Sequence, residues 1–473
     1  MVRKDLPQIH FYDQDFVDIY DQSWARMADF WFDGTEENGF EGRFFCKPES
    51  GTIDQFDSCM AVFFLVYSNR QYSAQAQLDA FYAKQEDNGA IRASYDLKTG
   101  KPKKAKTNPE MIGPPLFAWA EYNLYHKIGN KKRIKEILPL LQKYYEWVDK
   151  TFKDEEGMYV VPLEATGMLN SPREAGYYFV DFNAQMALSA LYISELADIL
   201  NDKDIAFQYK RNYFSLKTRL NTRMWDEEAG IYMDLNKEGE RIGVKTIAGF
   251  WPMLAETPNE AKFDRLKAHL RNHETFGTEN PFPSLSADSP EFSEDGNGYR
   301  GSVFPPYTFM IIKALEKYGA YSLARECSIR HLYYMLDTLH PEGGDAGNIW
   351  EAYRPTKDGP ASWEGNDQFP RPMHLSYAAL STITLMIENI VGLYISLPRK
   401  TVDWIVPTLD VMGIEGLNLK RNVITIRTNK TARGWEIRLE SEKLYYFTID
   451  VLGQTRKTLP IPSGKCSMLV DKL

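Results

Sequence analysis

Along roughly the first 390 residues, apolar side chains recur at spacings of three, four and seven, the period of one helical face. Between 12 and 33 this row is Phe16, Ile19, Tyr20, Met27 and Phe30. Between 131 and 152 it is Ile134, Ile137, Leu138, Leu141, Trp147 and Val148. The same pattern recurs at 54–70, 71–86, 113–128, 180–202, 204–224, 246–256, 260–272, 302–319, 320–338 and 372–393, which predicts twelve helices. The second and third, fourth and fifth, sixth and seventh, eighth and ninth, and tenth and eleventh helices are separated by at most about three residues, which makes antiparallel hairpins. The remaining links, 34–53, 87–112, 153–179, 225–245, 273–301 and 339–371, are long. Strict alternation puts every long loop on one face and predicts an all-α (α/α)6 barrel with a single loop-built pocket. The fixed repeat period of a helical solenoid is missing.

Near residue 398 the period changes. NVITIRTN, WEIRLESE and KLYYFTIDVLG alternate apolar and polar residues between turn-type clusters, the pattern of strands. The chain therefore divides into a barrel, 1–397, and a small β domain, 398–473. The mixed polar composition of the latter suits a structural cap better than a second active site.

Composition narrows the function. A net charge of −9 and a pI near 5.5 argue against a nucleic-acid partner, which needs a concentrated basic face. The one lysine run noted, KTGKPKKAK at 98–106, lies in a Pro/Gly-containing loop and reads as a solvated face. Cys46, Cys59, Cys327 and Cys466 are scattered without a CxxC pair and read as buried thiols, and the seven histidines lack metal-ligand spacing. No stretch of about 18 apolar residues predicts a membrane span. The N-terminus has no apolar signal-peptide core, which points to the cytoplasm, although a chain that lost its signal for a new Met would look the same.

Polar–aromatic clusters occupy the long loops or the helix starts that follow them: IDQFDSC (53–59), IGPPLFAWA (112–120), GMLNSPR (167–173), WDEEAGIYMD (225–234), GYRGSVFPP (298–306) and NIWEAYRPTKDG (348–359). Aromatic faces beside carboxylates and arginines suit a sugar, whose C–H faces stack on rings while its hydroxyls bridge charged groups. Together with VDFNA, TIAGFWPML and PSLS, this ordered set resembles glycoside hydrolase family 63, the related mannosylglycerate/glucosylglycerate hydrolases and, more distantly, trehalases. The resemblance covers about 40–395. It implies inverting hydrolysis of an α-glycosidic bond in a small oligosaccharide or glycoside by one carboxylic acid and one carboxylate base, with no cofactor.

By the same resemblance, Glu351 in NIWEAYRP stands at the general base, which activates water opposite the leaving group. Asp57 matches an aspartate that holds sugar hydroxyls, and Arg300 a site arginine. Phe56, Trp119, Asn170, Arg173, Tyr299, Gly301 and Trp350 lie in the matching motifs and are expected around the sugar. The general-acid position, in a Gly-Met-Asp-Asn-Ser-Pro-like loop, carries Leu169, which has no proton to donate. Phe56 replaces a usual Trp, Gly113 a Gln and Phe304 a common Trp, so the pocket is reshaped as well.

Three readings follow from Leu169. Glu164, Glu174 or Asp181 supplies the proton from a shifted position, which requires a raised pKa. Alternatively, the leaving group needs no acid, or the protein binds a glycan without cleaving it. Asp181 also matches a retained aspartate in VDFN and suits an N-cap or orienting role. Epimerase or lyase chemistry on the same barrel would rely on His or Tyr acid–base residues, which the ordered motifs do not supply.

Overall fold

The computed structural model describes residues 6–46, 50–341, 347–432, 434–451, 453 and 455–470. Among them twelve helices form: α1 (Gln14–Met27), α2 (Gln55–Leu65), α3 (Gln75–Tyr82), α4 (Phe117–Ile128), α5 (Lys131–Phe152), α6 (Val180–Leu200), α7 (Lys203–Arg219), α8 (Trp251–Leu254), α9 (Glu260–Arg271), α10 (Pro305–Lys317), α11 (Tyr321–Leu339) and α12 (Leu375–Ala379). The tight hairpins come from paired caps. α4 stops at Gly129, whose left-handed φ of 62° ends the helix, and Asn130 then caps α5 by accepting from the Arg133 N–H. Asn201 (φ 63°) and Asp202, which accepts from Ile205, do the same between α6 and α7.

The even-numbered helices touch in cyclic order, α2–α4–α6–α8–α10–α12 and back to α2. The odd-numbered α3, α5, α7 and α11 pack against α2, α4 with α6, α6, and α10 respectively, and α1 packs against α11 and α12. Burial follows this order. α6 is buried along nearly its whole length, whereas α7 buries only Ala206, Tyr209, Tyr213 and Leu216, one stripe of an otherwise polar helix.

Several helices are shorter than their apolar rows. α1 ends at Met27, and Trp31–Asp33 pairs as a ribbon with Arg43–Phe45. The link between α2 and α3 is a nine-residue segment, 66–74, rather than a short connection. A turn sets its course, with Gln71 N–H donating to Ser68 O at 2.8 Å and Asn69 and Arg70 both left-handed. α8 is a single α turn behind a 3-10 turn (Ile247–Phe250), and α12 widens into π turns over Leu380–Ile390.

The C-terminal strands make two sheets. One runs Thr455–Ile461, Tyr445–Val451, Thr401–Val406, Leu393–Ser396. The other runs Met412–Asn418, Val423–Thr431, Gly434–Ser441, Gly464–Val470, and is completed by Gln8–Phe11 from the far N-terminus, antiparallel to Met412–Asn418. The expected 397/398 boundary therefore falls inside the hairpin Leu393–Ser396/Thr401–Val406. Trp404 Nε1 donates to Val391 O at 2.8 Å, fastening this sheet to the end of the last helix. Cys59 and Cys327 are buried thiols, and the Cys46 Sγ lies 3.2 Å from Thr52 O. The Cys466 side chain lies outside the described residues.

Candidate active site

Where α2 begins, a cavity of about 300 Å3 opens between the loops. Phe56 and Asp57 come from the first turn of α2, Glu164 and Gly167 from the loop before α6, Tyr299 and Tyr307 from the start of α10 and the loop before it, and Arg371 and Tyr377 from the last loop and α12. A second cavity of about 470 Å3 shares Asp54, Asp57 and Arg371 with the first, so both meet at one acid–guanidinium wall. Exposed Lys103, from the lysine run, borders the second cavity.

Glu351 stands behind that wall. It lines neither cavity, but Arg371, which lines both, grips it: Nη2 donates to Oε1 at 2.7 Å, Nε to Oε2 at 2.9 Å, and the Arg371 backbone N–H to Oε2 at 3.1 Å. Three of the roughly four lone-pair directions of the carboxylate are filled, which leaves one for a water. Burial alone would raise the Glu351 pKa. The Arg371 hydrogen bonds and the nearby His374 and Arg371 charges outweigh it and hold the carboxyl below its usual value.

Asp57 behaves oppositely. Its position in the first turn of a helix would favour the anion. Burial dominates, with Asp54 and Glu351 adding repulsion against Arg371 and the Tyr377 hydroxyl, and the pKa is pushed up to about 7. His374 Nε2 lies 3.7 Å from Asp57 Oδ2 and 3.2 Å from Arg371 Nη2, which joins the four groups into one cluster. A folded-state pKa raised above the unfolded value near 3.8 favours the protonated fold. The associated stability is complete below about pH 4 and is lost as pH rises through 7. Thermal melts should therefore fall between pH 5 and 8 in the wild type, and Asp57→Asn should flatten that slope. An unchanged slope in the variant would place the titration elsewhere.

The loop holding Leu169 is fastened on both sides. Asn170 Oδ1 accepts from Tyr299 N–H at 2.7 Å and its Nδ2 donates to Asn297 O at 2.9 Å, while Arg300 Nε donates to Asn170 O at 3.1 Å. On the other side Arg173, fully buried, donates twice to Asp181 (2.8 and 2.9 Å) and twice to Asp234 (2.6 and 2.8 Å), and Asp234 also accepts from Val180 N–H at the start of α6. Leu169 itself is 53% exposed, one of the few large apolar side chains left in water.

Most of the other residues expected around the sugar lie outside these two cavities. Neither Arg173 nor Asp181 lines the two cavities, because a buried guanidinium needs carboxylates and takes Asp181 and Asp234. Asp234, from the GIYMD cluster, is the third member of that triad rather than a cavity residue. Glu174 is exposed and lies 3.8 Å from Arg300, whose guanidinium also pairs with Glu291, so neither Glu174 nor Arg300 lines the cavities. Trp119 is buried against Phe63, Trp251 and Phe309 inside the helical ring. Trp350 pairs through its backbone with Pro372. Gly301 is required sterically, since a Cβ there would meet Ser293 O at 2.4 Å. Of the carboxylates considered for the proton, Glu164 alone lines a described cavity. Arg371, His374, Tyr307 and Tyr377 were not singled out by sequence. Arg371, His374 and Tyr377 share the polar run RPMHLSY ahead of an apolar helix, and Tyr307 follows the Pro pair of GYRGSVFPP; neither stretch has a distinctive spacing.

Helices in a cyclic contact order, loops that build two adjoining cavities and a C-terminal pair of sheets are the features to set beside known proteins. Residues 56–370 match the mannosylglycerate hydrolase MGH1-like glycoside hydrolase domain, and 392–473 match the trehalase C-terminal domain. The chain belongs to this MGH1-like glycoside hydrolase family. An uncharacterised protein of Borreliella burgdorferi is 51% identical over the full length of both chains. The mannosylglycerate hydrolase of Thermus thermophilus is 36% identical over 141 residues, 27% of this chain and 33% of that one. The crystal structure of a family 63 mannosylglycerate hydrolase from Thermus thermophilus in complex with glucose superimposes with a TM-score of 0.56 at 19% identity, covering 71% of this chain and 92% of that one.

Proposed function

We propose that the protein hydrolyses a small α-linked glucoside or mannoside with inversion, on an (α/α)6 barrel, with Glu351 as general base and Glu164 as the displaced general acid. The cyclic contacts of the even-numbered helices support the barrel. The observation that carries the chemistry is that Glu164 lines the same cavity as Asp57 and Arg371, and that Arg371 in turn holds Glu351 behind it. Glu351, kept anionic by Arg371, has one free lone-pair direction with which to take a proton from water. Phe56, Tyr299 and Tyr377 offer ring faces and hydroxyls to the sugar, and Asp57 offers a carboxyl to its hydroxyls. Asn170, Arg173, Asp181 and Arg300 act as positioning residues for the loop that contains Leu169.

The test is product analysis of the purified protein with a panel of α-glycosides and α-glycosyl fluorides, followed by proton NMR before mutarotation. Inverted product, lost on Glu164→Gln for ordinary glycosides but kept for fluorides, supports the assignment, because fluoride leaves without protonation. Retained configuration overturns it.

A second reading, glycan binding without cleavage, is favoured by Leu169 and by the Arg371 grip on Glu351. Leu169→Asp separates the two. The loop is held by side chains on either side of position 169, so a carboxyl can be introduced there without moving backbone. If Glu164 is the acid, the added carboxylate perturbs it by like-charge repulsion, and turnover drops or its pH optimum shifts. If no acid serves, unactivated glycosides should gain at least ~10-fold, since a general acid is typically worth ~10²–10⁴. Sugar binding with no turnover in either protein supports the non-cleaving reading.

A further inference from the structure

Away from the loop face, on the side where the β module meets the helical ring, a cleft of about 800 Å3 is lined by Arg70, Lys400, Lys420, Arg421 and Lys443, with Leu397, Leu444 and Tyr445 among its apolar residues. No carboxylate belongs to this lining, in a chain of net charge −9. Among the described residues none of the five cations forms a salt bridge. Lys420 Nζ donates to the Gly129 carbonyl, at the negative end of α4, at 3.1 Å, and the nearby Glu442 carboxylate accepts from the Val423 N–H.

The turns under these cations carry residue types that their backbone geometry disfavours. Four of them sit in the left-handed region: Arg70 (φ 71°), Lys400 (φ 52°), Lys420 (φ 48°) and Arg421 (φ 66°), four of the ten non-glycine residues of the described chain that do so. Lys420 and Arg421 are the two central residues of a hairpin turn closed by Leu419 N–H to Asn422 O (2.7 Å) and Asn422 N–H to Leu419 O (3.0 Å). Asn-Gly is the favoured pair at such a turn. Arg70 occupies the second central position of the turn closed by Gln71 N–H on Ser68 O. Lys400 ends the turn closed on Leu397 O at 3.0 Å, at a left-handed position that Gly favours. Three separate turns thus place a cation where Gly or Asn would be less strained, and all three converge on one cleft. Backbone strain of this kind collects at ligand sites, where the surrounding structure holds it.

We infer that this cleft binds a small multivalent oxyanion, a phosphate-bearing metabolite or polyphosphate, independently of the sugar cavity. Its concave shape and volume suit a small molecule better than a flat membrane, and the acidic chain argues against nucleic acid. Arginine forks and lysine ammonium groups facing one concavity are the chemistry that captures clustered phosphate oxygens.

Isothermal titration of the full-length protein at physiological salt, with tripolyphosphate and glucose 6-phosphate as probes, tests this. Saturable binding is expected for at least one of them, weakened 10-fold or more in Lys420→Asn/Arg421→Gly. That double variant installs the favoured turn and should melt higher than wild type, so loss of binding cannot come from misfolding. Lys131→Gln/Lys135→Gln, on another surface pocket, should bind as wild type does. Absence of saturable binding to both probes, or equal loss in the two double variants, overturns the proposal. Binding that anionic lipid vesicles compete away identifies a headgroup as the source of the phosphate, and binding they leave untouched identifies a free metabolite.

Discussion

Glu351→Gln is expected to lower hydrolysis by about 10²–10⁴-fold, the usual weight of a general base. Glutamine is isosteric and still offers one carbonyl oxygen to Arg371, but it cannot take the proton of the attacking water. The loss of charge falls on a guanidinium that is 46% exposed, so solvent absorbs much of it and the melting temperature should change little. Sugar affinity should also hold, since Phe56, Asp57, Tyr299 and Tyr377 line the cavity independently of Glu351. The low-set pKa of Glu351 gives a further signature. Base-limited activity should persist below pH 4.5 in the wild type, until protonation of Glu351 stops it. Turnover of the Gln variant near the wild-type rate on ordinary glycosides would falsify the base assignment.

Arg173→Met should be the most damaging substitution for stability. It removes the cation between Asp181 and Asp234, which are 1% and 3% exposed, and leaves two buried carboxylates facing each other. Breaking a buried ion pair from one side typically costs about 3–5 kcal/mol, because the surviving charge has neither solvent nor partner. Chemical unfolding measures the loss directly. Asp181→Asn/Asp234→Asn added to Arg173→Met should recover part of it, since the uncompensated charge is then gone. A variant within about 1 kcal/mol of wild type, with a raised KM for its glycoside, would instead return Arg173 to the substrate-binding role that the GMLNSPR motif suggests.

Helix number and a switch to strands were legible in the sequence, because each rests on periods and caps within a few residues; the switch, expected near residue 398, begins with Leu393–Ser396. The 3.6-residue rows of α5 and α7, Gly129–Asn130 and Asn201–Asp202, and the alternation of Val423–Thr431 all express local stereochemistry. The order of the loop motifs likewise pointed to the glycoside hydrolase family through residues that lie close together in the chain.

Tertiary structure decided which charged groups face the cavity and which are spent holding it. Arg173 meets Asp234 across 61 positions and Arg371 meets Glu351 across 20, and no local pattern encodes which carboxylate a buried guanidinium will take. The same long-range competition leaves Glu164 on the cavity and pins Asp181. It also raises Asp57 against the helix dipole at its position, since the burial that dominates the shift, and the added Glu351 charge, come from walls that only the fold supplies. The strand Gln8–Phe11, too short to stand out in the sequence, forms because Met412–Asn418, some four hundred residues away, offers it an open edge. The sequence by itself determined most of the helices, the longer C-terminal strands and the family. The pairing of charges and edges across the chain awaited the fold, because its energy depends on burial and distance rather than on sequence order.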